Sequence, residues 1–308
     1  MSDVVVLGIF VADLAFEAPR LPTMGETLLG SGFRMGPGGK GSNQAVAAAN
    51  AGAATTFLTR LGNDAFGDIA LKAWGDARID TSAVIRTSDR PTGAAFIFVS
   101  TETRDNAIIV ESGAAGILSP EDVEGARSAI EGAKVFITQL EQPIAAAQRG
   151  LAIARQAGVA TVFNPAPAAE LTDEFLSLCD YATPNESEVA AITGVGCESV
   201  DDARAAADKL LARGVKTAVV TLGERGALYH DGTVSELIRA YPVDEVRDTT
   251  GAGDAFNGGF ATALAEGRSP LDAVRFGCAT ASLSVTRLGT APAMPMREEI
   301  ELLLTEGV

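Results

Sequence analysis

Short runs of consecutive apolar residues recur along the chain: Val4–Ile9 (VVVLGI), Val135–Thr138 (VFIT), Ala160–Phe163 (ATVF) and Ala218–Thr221 (AVVT). Runs of this length, rich in β-branched residues, read as strands buried on both faces. Thr56–Thr59 reads as a further short strand. Between the runs lie helical patterns at Ser42–Ala51, Ala65–Gly75, Pro143–Gln156, Glu186–Ile192 and Val200–Ala212, the first opened by Ser42 or Asn43 as cap. After Gly251 the pattern is helical throughout: Ala252–Ala265, Leu271–Val285 and Arg297–Leu304. Buried strands alternating with helices predict an α/β fold, a doubly wound, mostly parallel sheet flanked by helices.

Two stretches break this rhythm. Residues 12–36 and 90–111 carry ETLLGSGF, GAAFIFV and NAIIV, which alternate like strands of a separate small sheet. That sheet is expected to be a lid over a ligand; an ordinary hairpin extension fits the same pattern. No repeat or Ser/Pro-rich linker divides residues 1–308, so one domain is expected.

Composition narrows the chemistry. The chain has 308 residues, 47% hydrophobic and 21% charged, with net charge −16. Such a balance excludes general disorder and bulk-charge binding to nucleic acid or anionic membrane. It leaves room for a small anion held by main-chain amides. The three cysteines, Cys179, Cys197 and Cys278, form no CxxC, and His230 is the only histidine. A disulfide framework, a multi-histidine metal site and a serine-type triad are therefore not expected. The start lacks a basic, cleavable leader and no apolar run reaches spanning length, so a cytoplasmic location is expected.

Several segments carry possible chemistry. Gly36–Asn43 (GPGGKGSN) matches GxGxxG by letter, yet no apolar strand precedes it and no acid lies near Arg60 and Leu61. A dinucleotide fold is rejected, as is a Walker loop, because Gly41 follows Lys40. A tight structural turn explains the glycines as well as a site does. In Asp248–Asn257 (DTTGAGDAFN), Gly251, Ala252 and Gly253 leave helix-terminal amides open for an anion, with Asp254 beside them as a possible proton acceptor. A plain helix cap is the alternative for Asp254. Asn185 and Glu188 in TPNESE have the spacing of a capping box, which by spacing alone is the better reading. Thr221–Gly226 (TLGERG) follows a buried strand and is either a ligand loop or a hairpin turn. Glu141 and Asp13 also follow strands, where ligands of parallel sheets gather; a solvated loop acid and a turn residue are their alternatives.

The order of these motifs is more informative than any one of them. GGKGSNQA, QLEQP, NPAP, TPNESE, TLGERG, DTTGAGDAFNGG and VTRLGTAPAMP in succession resemble the ribokinase, or PfkB, family of sugar kinases from first strand to last helix. The resemblance implies a ribokinase-like core with a small β lid that often builds a homodimer. It implies ATP-dependent phosphorylation of a sugar hydroxyl with Mg²⁺, D-ribose to ribose 5-phosphate being the first expectation. By motif match Asp254 is the base, and the amides of Gly251, Ala252 and Gly253 stabilise the transferring phosphoryl. Asp13, Gly39, Lys40, Asn43 and Glu141 match sugar positions, and Asn185 and Glu188 match an element organising Mg²⁺ and phosphates. Thr221, Gly223 and Gly226 match the nucleotide loop. Asp248, with the carbonyls of Thr250, Ser284, Arg287 and Gly289, matches a monovalent-cation site, usually potassium. Lid residues such as Phe96 and Ile109 would exclude water.

Two positions depart from the family pattern. Val11 stands where Asn is usual and cannot bond a sugar hydroxyl, which makes a deoxygenated sugar a candidate. Ala293 stands where some members place a serine near potassium. The rival readings are a family kinase for a nucleoside, fructose derivative or keto-deoxy sugar acid, and a sugar-binding protein without turnover.

Overall fold

A computed structural model describes residues 2–103 and 105–306. The chain opens with β1 (Val4–Leu7), β2 (Val11–Ala18), β3 (Gly32–Gly38), α1 (Lys40–Asn50), β4 (Thr55–Gly62) and α2 (Ala65–Asp76). β5 (Val84–Thr87), β6 (Thr92–Ser100), β7 (Asn106–Gly113), α3 (Pro120–Gly125) and α4 (Arg127–Glu131) follow. Next come β8 (Val135–Thr138), α5 (Ile144–Gln156), β9 (Ala160–Phe163), α6 (Asp173–Leu176), β10 (Tyr181–Ala182), α7 (Glu186–Thr193) and α8 (Val200–Ala212). The chain finishes with β11 (Thr217–Thr221), β12 (Ala227–His230), β13 (Ser235–Ile238), α9 (Ala252–Ala265), α10 (Pro270–Ser284) and α11 (Arg297–Glu306).

Nine strands form the large sheet in the order β13-β12-β11-β10-β9-β8-β1-β4-β5. From β5 to β11 every pairing is parallel, and the β11–β12 and β12–β13 pairings at the edge are antiparallel. Apolar clusters cover the sheet on both faces. Phe10, Phe57, Trp74, Phe256 and Phe260 lie in one, and Phe136, Phe163, Phe175 and Leu210 in the other. Strand order turns back at β1, where the chain runs first to β4 and later to β8. Such a switch point leaves a crevice at the carboxyl ends of the strands.

The two irregular stretches form a separate sheet of four strands, β3-β2-β6-β7. β2 and β6 pair in parallel and the outer pairs are antiparallel. ETLLGSGF is not a continuous strand, since ordered pairing begins only at Gly32. Register places Val11, Asp13, Ala95, Ile97, Ile108 and Val110 on one face, because strand side chains alternate. Phe96 and Ile109 pair with each other on the opposite face. They therefore do not cover Asp13; Ile97, Ile108 and Val110 share its side.

The first helix also begins differently from its pattern. α1 starts at Lys40 behind Gly39, whose φ of +89° suits glycine alone, and no side chain caps it. Ser42 and Asn43 are spent elsewhere. Ser42 Oγ accepts from Trp74 Nε1 at 2.9 Å, and Asn43 reaches α9.

Candidate active site

α9 is the element that builds the site. Its N-cap is Gly251, held at φ +80°, and no side chain caps the helix. Asp254 is therefore free of the capping role, and its carboxylate turns inward to α1. Asn43 Nδ2 donates to Asp254 Oδ2 and Gln44 Nε2 to Asp254 Oδ1, both at 3.0 Å. Only 5% of Asp254 is exposed. Burial pushes its pKa up, against the Lys40 charge and the two amide donors, which favour the ionised form.

The amides of Gly251, Gly253 and Asp254 donate to no protein group among the described residues, whereas Ala252 N–H bonds the Thr249 carbonyl at 3.2 Å. Of the three amides expected to face an anion, that of Ala252 is thus engaged by the turn, while Asp254 N–H is open beside those of Gly251 and Gly253. A cavity of about 130 Å³ opens before this helix end. It brings together eight of the expected residues: Lys40, Asn185, Glu188, Thr221, Gly251, Ala252, Gly253 and Asp254. Thr249 also lines it. Lys40 is the cation of the group. Burial disfavours its charge, but the carboxylates of Asp254, Glu141 and Glu188 outweigh this and raise its pKa.

Asp13, Gly39, Asn43 and Glu141 do not line that cavity but lie near Asp254 or the start of α1. Glu141 Oε2 accepts the Lys40 main-chain N–H at 2.7 Å, linking the end of β8 to the start of α1. Burial raises Glu141 to about 7, partly offset by Lys40. Burial and the nearby Asp254 charge raise Asp13 to about 6. Asp13 lies so close to Gly38 that a Cβ there would meet its Oδ1 at 2.2 Å. Val11, next to Asp13 on the same face, packs with Ile9, Ala95 and Ala115 and is 3% exposed.

Asn185 and Glu188 form the capping box that their spacing suggests. Asn185 Oδ1 accepts from Glu188 N at 2.8 Å and Glu188 Oε2 from Asn185 N at 2.9 Å. Both also line the cavity, so the structural role and the cavity position coincide. Burial raises Glu188 as well, and a cation beside it would favour its ionised form. Gly223 and Gly226 turn β11 into β12, as a hairpin turn would, and neither lines the cavity. A Cβ on Gly226 would meet the Ile238 carbonyl at 2.0 Å, so packing alone requires that glycine.

The loops that carry the expected monovalent-cation residues are joined through Asp248. Asp248 Oδ1 accepts from Thr250 N at 2.9 Å and Oδ2 from Gly289 N at 3.0 Å, tying the two loops together. Among the described residues the carbonyls of Thr250, Arg287 and Gly289 accept no main-chain hydrogen bond, while that of Ser284 accepts from Arg287 N–H. Free carbonyls beside a carboxylate suit a hard cation. Ala293 is 1% exposed and offers no hydroxyl.

Other polar residues at the site carry no expectation of their own. Asn164, at the end of β9, and Asn257, on α9, line the cavity, and Gln44 and Gln139 lie behind Asp254. Their position after strand ends, or one residue past Asn43, was the available signal. An uncharged amide carries no distinctive chemistry to single it out.

Comparison with known proteins agrees with this geometry. The pattern of the pfkB family of carbohydrate kinases matches residues 1–297. A ribokinase of Haemophilus influenzae is 40% identical over 294 residues, covering 96% of this chain and 95% of its own. A deoxyribokinase of Salmonella typhi is 35% identical over 307 residues, covering 98% and 99%. The structure of Arabidopsis thaliana ribokinase complexed with ribose and ATP superposes with a TM-score of 0.92 at 33% identity, covering 98% of each chain. With the helix end, its acid and the strand-end residues in one crevice, the chain belongs to the pfkB family of carbohydrate kinases.

Proposed function

We propose that this protein is an ATP-dependent ribokinase, converting D-ribose to ribose 5-phosphate. One observation carries the proposal: Asp254 lines a cavity faced by free helix-terminal amides and lies near polar groups from β2, α1 and the end of β8 that could hold a sugar. A hydroxyl placed beside Asp254 would lose its proton to that carboxylate as its oxygen attacks the γ-phosphorus of ATP, while the bond from that phosphorus to the β–γ bridging oxygen breaks and ADP leaves. The amides of Gly251, Gly253 and Asp254 would meet charge building on the phosphoryl oxygens, with no rearrangement at the moment of reaction. Lys40 adds a half-buried positive charge that lines the same cavity. Asp13, Asn43 and Glu141 would orient the sugar. Placement and charge neutralisation are what phosphoryl transfer chiefly requires.

Glu188, with Asn185, would organise Mg²⁺, which neutralises charge on the nucleotide phosphates when bound. Asp248 and the carbonyls of Thr250, Arg287 and Gly289 would hold a potassium ion, which would steady the loops before α9; Ser284 is the weaker candidate, its carbonyl being occupied. The small sheet would act as a lid, closing Ile97, Ile108 and Val110 over the sugar, and a homodimer through this sheet is part of the proposal. Buried free thiols at Cys179, Cys197 and Cys278 suit the reducing cytoplasm. No helix among the described residues is long and apolar enough to cross a membrane.

Val11 favours a second reading within the same chemistry. An apolar side chain beside Asp13 offers no partner for one hydroxyl, at a cost of about 1–3 kcal/mol for a sugar that carries it there. A deoxypentose would avoid that cost. The test follows ADP release with ATP and Mg²⁺ over ribose, 2-deoxyribose, fructose and nucleosides, with and without K⁺. Ribose or 2-deoxyribose should give the highest kcat/KM, and their ratio decides between the two readings. A preferred nucleoside would refute both, and no sugar-dependent ADP would favour a silent binding protein. Asp254→Asn should lower kcat by about three orders of magnitude with smaller changes in KM.

A further inference from the structure

We infer that Gln44 is a positioning residue for the base, fixing the plane and orientation of the Asp254 carboxylate through an amide that Gln139 and Asn164 hold in one sense. The inference rests on the kinase reading above, in which Asp254 accepts the sugar proton. Gln44 is fully buried and does not line the cavity. It therefore acts on the reaction only through what it bonds.

Its bonding is fully determined. Nε2 donates to Asp254 Oδ1 at 3.0 Å and to Asn164 Oδ1 at 3.1 Å, while Oε1 accepts from Gln139 Nε2 at 2.5 Å. Asn164 is set in turn by its Nδ2, which donates to the Thr183 carbonyl at 3.1 Å. Flipping the Gln44 amide would aim its oxygen at two acceptors and its nitrogen at the Gln139 donor. Every partner thus selects the same orientation.

Gln139 sharpens the point. It is fully buried, and its Oε1 has no hydrogen-bond partner. That oxygen sits against Gly8, where a Cβ would approach it to 2.4 Å. A buried orphan oxygen is unfavourable for folding, so the arrangement is not one that stability alone would choose. What it secures is the N–H bond that orients Gln44. A lone carboxylate turns easily about its Cβ–Cγ bond. With Asn43 on one oxygen and Gln44 on the other, the Asp254 plane is fixed while each oxygen keeps a lone pair for a hydroxyl proton.

The experiment uses the full chain with Gln44→Met, which keeps length and removes both donors, and Gln139→Met, which leaves Gln44 but frees its amide. Kinetics with the best sugar are recorded against pH, beside the melting temperature. Lys40 from α1, Asp13 from β2, Glu141 after β8 and Glu188 from α7 also face Asp254 and are unchanged in both variants. Q44M should lower kcat about tenfold or more with KM for sugar and ATP within about threefold. The acidic limb of its kcat profile should move to higher pH, because the lost donor favoured the ionised base. Q139M should shift both quantities the same way by less. A folded Q44M with kcat within about twofold of the parent and an unmoved limb, or one that changes KM alone, overturns the inference. Should Q44M fail to fold, Q139M decides by the same criteria. A parent enzyme without sugar-dependent ADP release would instead remove the kinase reading itself.

Discussion

Around the Lys40 ammonium stand the carboxylates of Asp254, Glu141 and Glu188, with Asp13 facing Asp254 from the small sheet. More acids than cations in a buried place raise carboxylate pKa values, and the effect on stability has a definite sign. Glu141 lies near 7 in the folded chain against an ordinary 4.5. Below the ordinary value it is protonated in both states and contributes nothing. Between the two values the folded chain holds the extra proton, so stability falls as pH rises and the full penalty stands above 7. Glu141→Gln keeps an oxygen for the Lys40 N–H and removes the charge. It should be more stable than the parent at pH 8 by roughly 2 kcal/mol, discounted for the side chain's residual exposure, with the gap closing near pH 5. Urea unfolding of the two proteins at both pH values measures it, and a gap independent of pH would show that the folded site does not raise Glu141. The same variant should bind sugar more weakly, if Glu141 holds a hydroxyl as proposed.

At the scale of elements, the contact between α1 and α9 sets the distance from Asp254 to its amide donors, Asn43 and Gln44. Gly258 allows it. A Cβ there would meet Ala47 Cβ at 2.4 Å, Ala48 N at 2.7 Å and Gln44 O at 2.8 Å, and two of these are backbone atoms that cannot swing aside. Gly258→Ala should push the helices apart, lower stability by about 1–3 kcal/mol and reduce kcat more than KM, because Asp254 would move away from Asn43 and Gln44. Steady-state kinetics with a thermal melt check this, and a parent-like kcat would mean that the helix contact is not the ruler. These helices also show what sequence can reveal. Val135–Thr138, Ala160–Phe163, Val200–Ala212 and Ala252–Ala265 were readable to the residue, since each is a sustained apolar pattern with a sharp stop. β10 has two residues, too few for any pattern to register, and β5 (VIRT) is only partly buried and carries Arg86, so it lacks the continuous apolar run of β8 and β9. The start of α1 was misplaced because Ser42 and Asn43 look like caps yet serve tertiary contacts. The acids and glycines of the site were legible because their types suggest proton and phosphate chemistry. The amides of Gln44, Gln139 and Asn164 were not, because their role exists only once three strand ends and two helices meet.

For the whole molecule, charge and shape pull against each other. Each copy carries −16, so two copies repel at long range and any pairing must rest on apolar contact. The small sheet supplies it. On the face away from Asp13, Phe16 lies 4.9 Å from Phe33 and 5.8 Å from Phe96 between ring centroids, and all three are exposed. Met35 and Ile109 extend this surface. Contiguous exposed apolar area of this kind is uncommon on monomers. If the proposed dimer forms here, sedimentation should show a dimer at micromolar concentration, tightening as salt rises from about 50 mM to about 500 mM because screening weakens the repulsion. Phe33→Asp adds a charge at the centre of the contact and should leave monomers with the melting temperature of the core little changed. A parent that sediments as a monomer at high salt would rule out this surface as the interface. The active site itself would stand, since every group assigned to it comes from one chain.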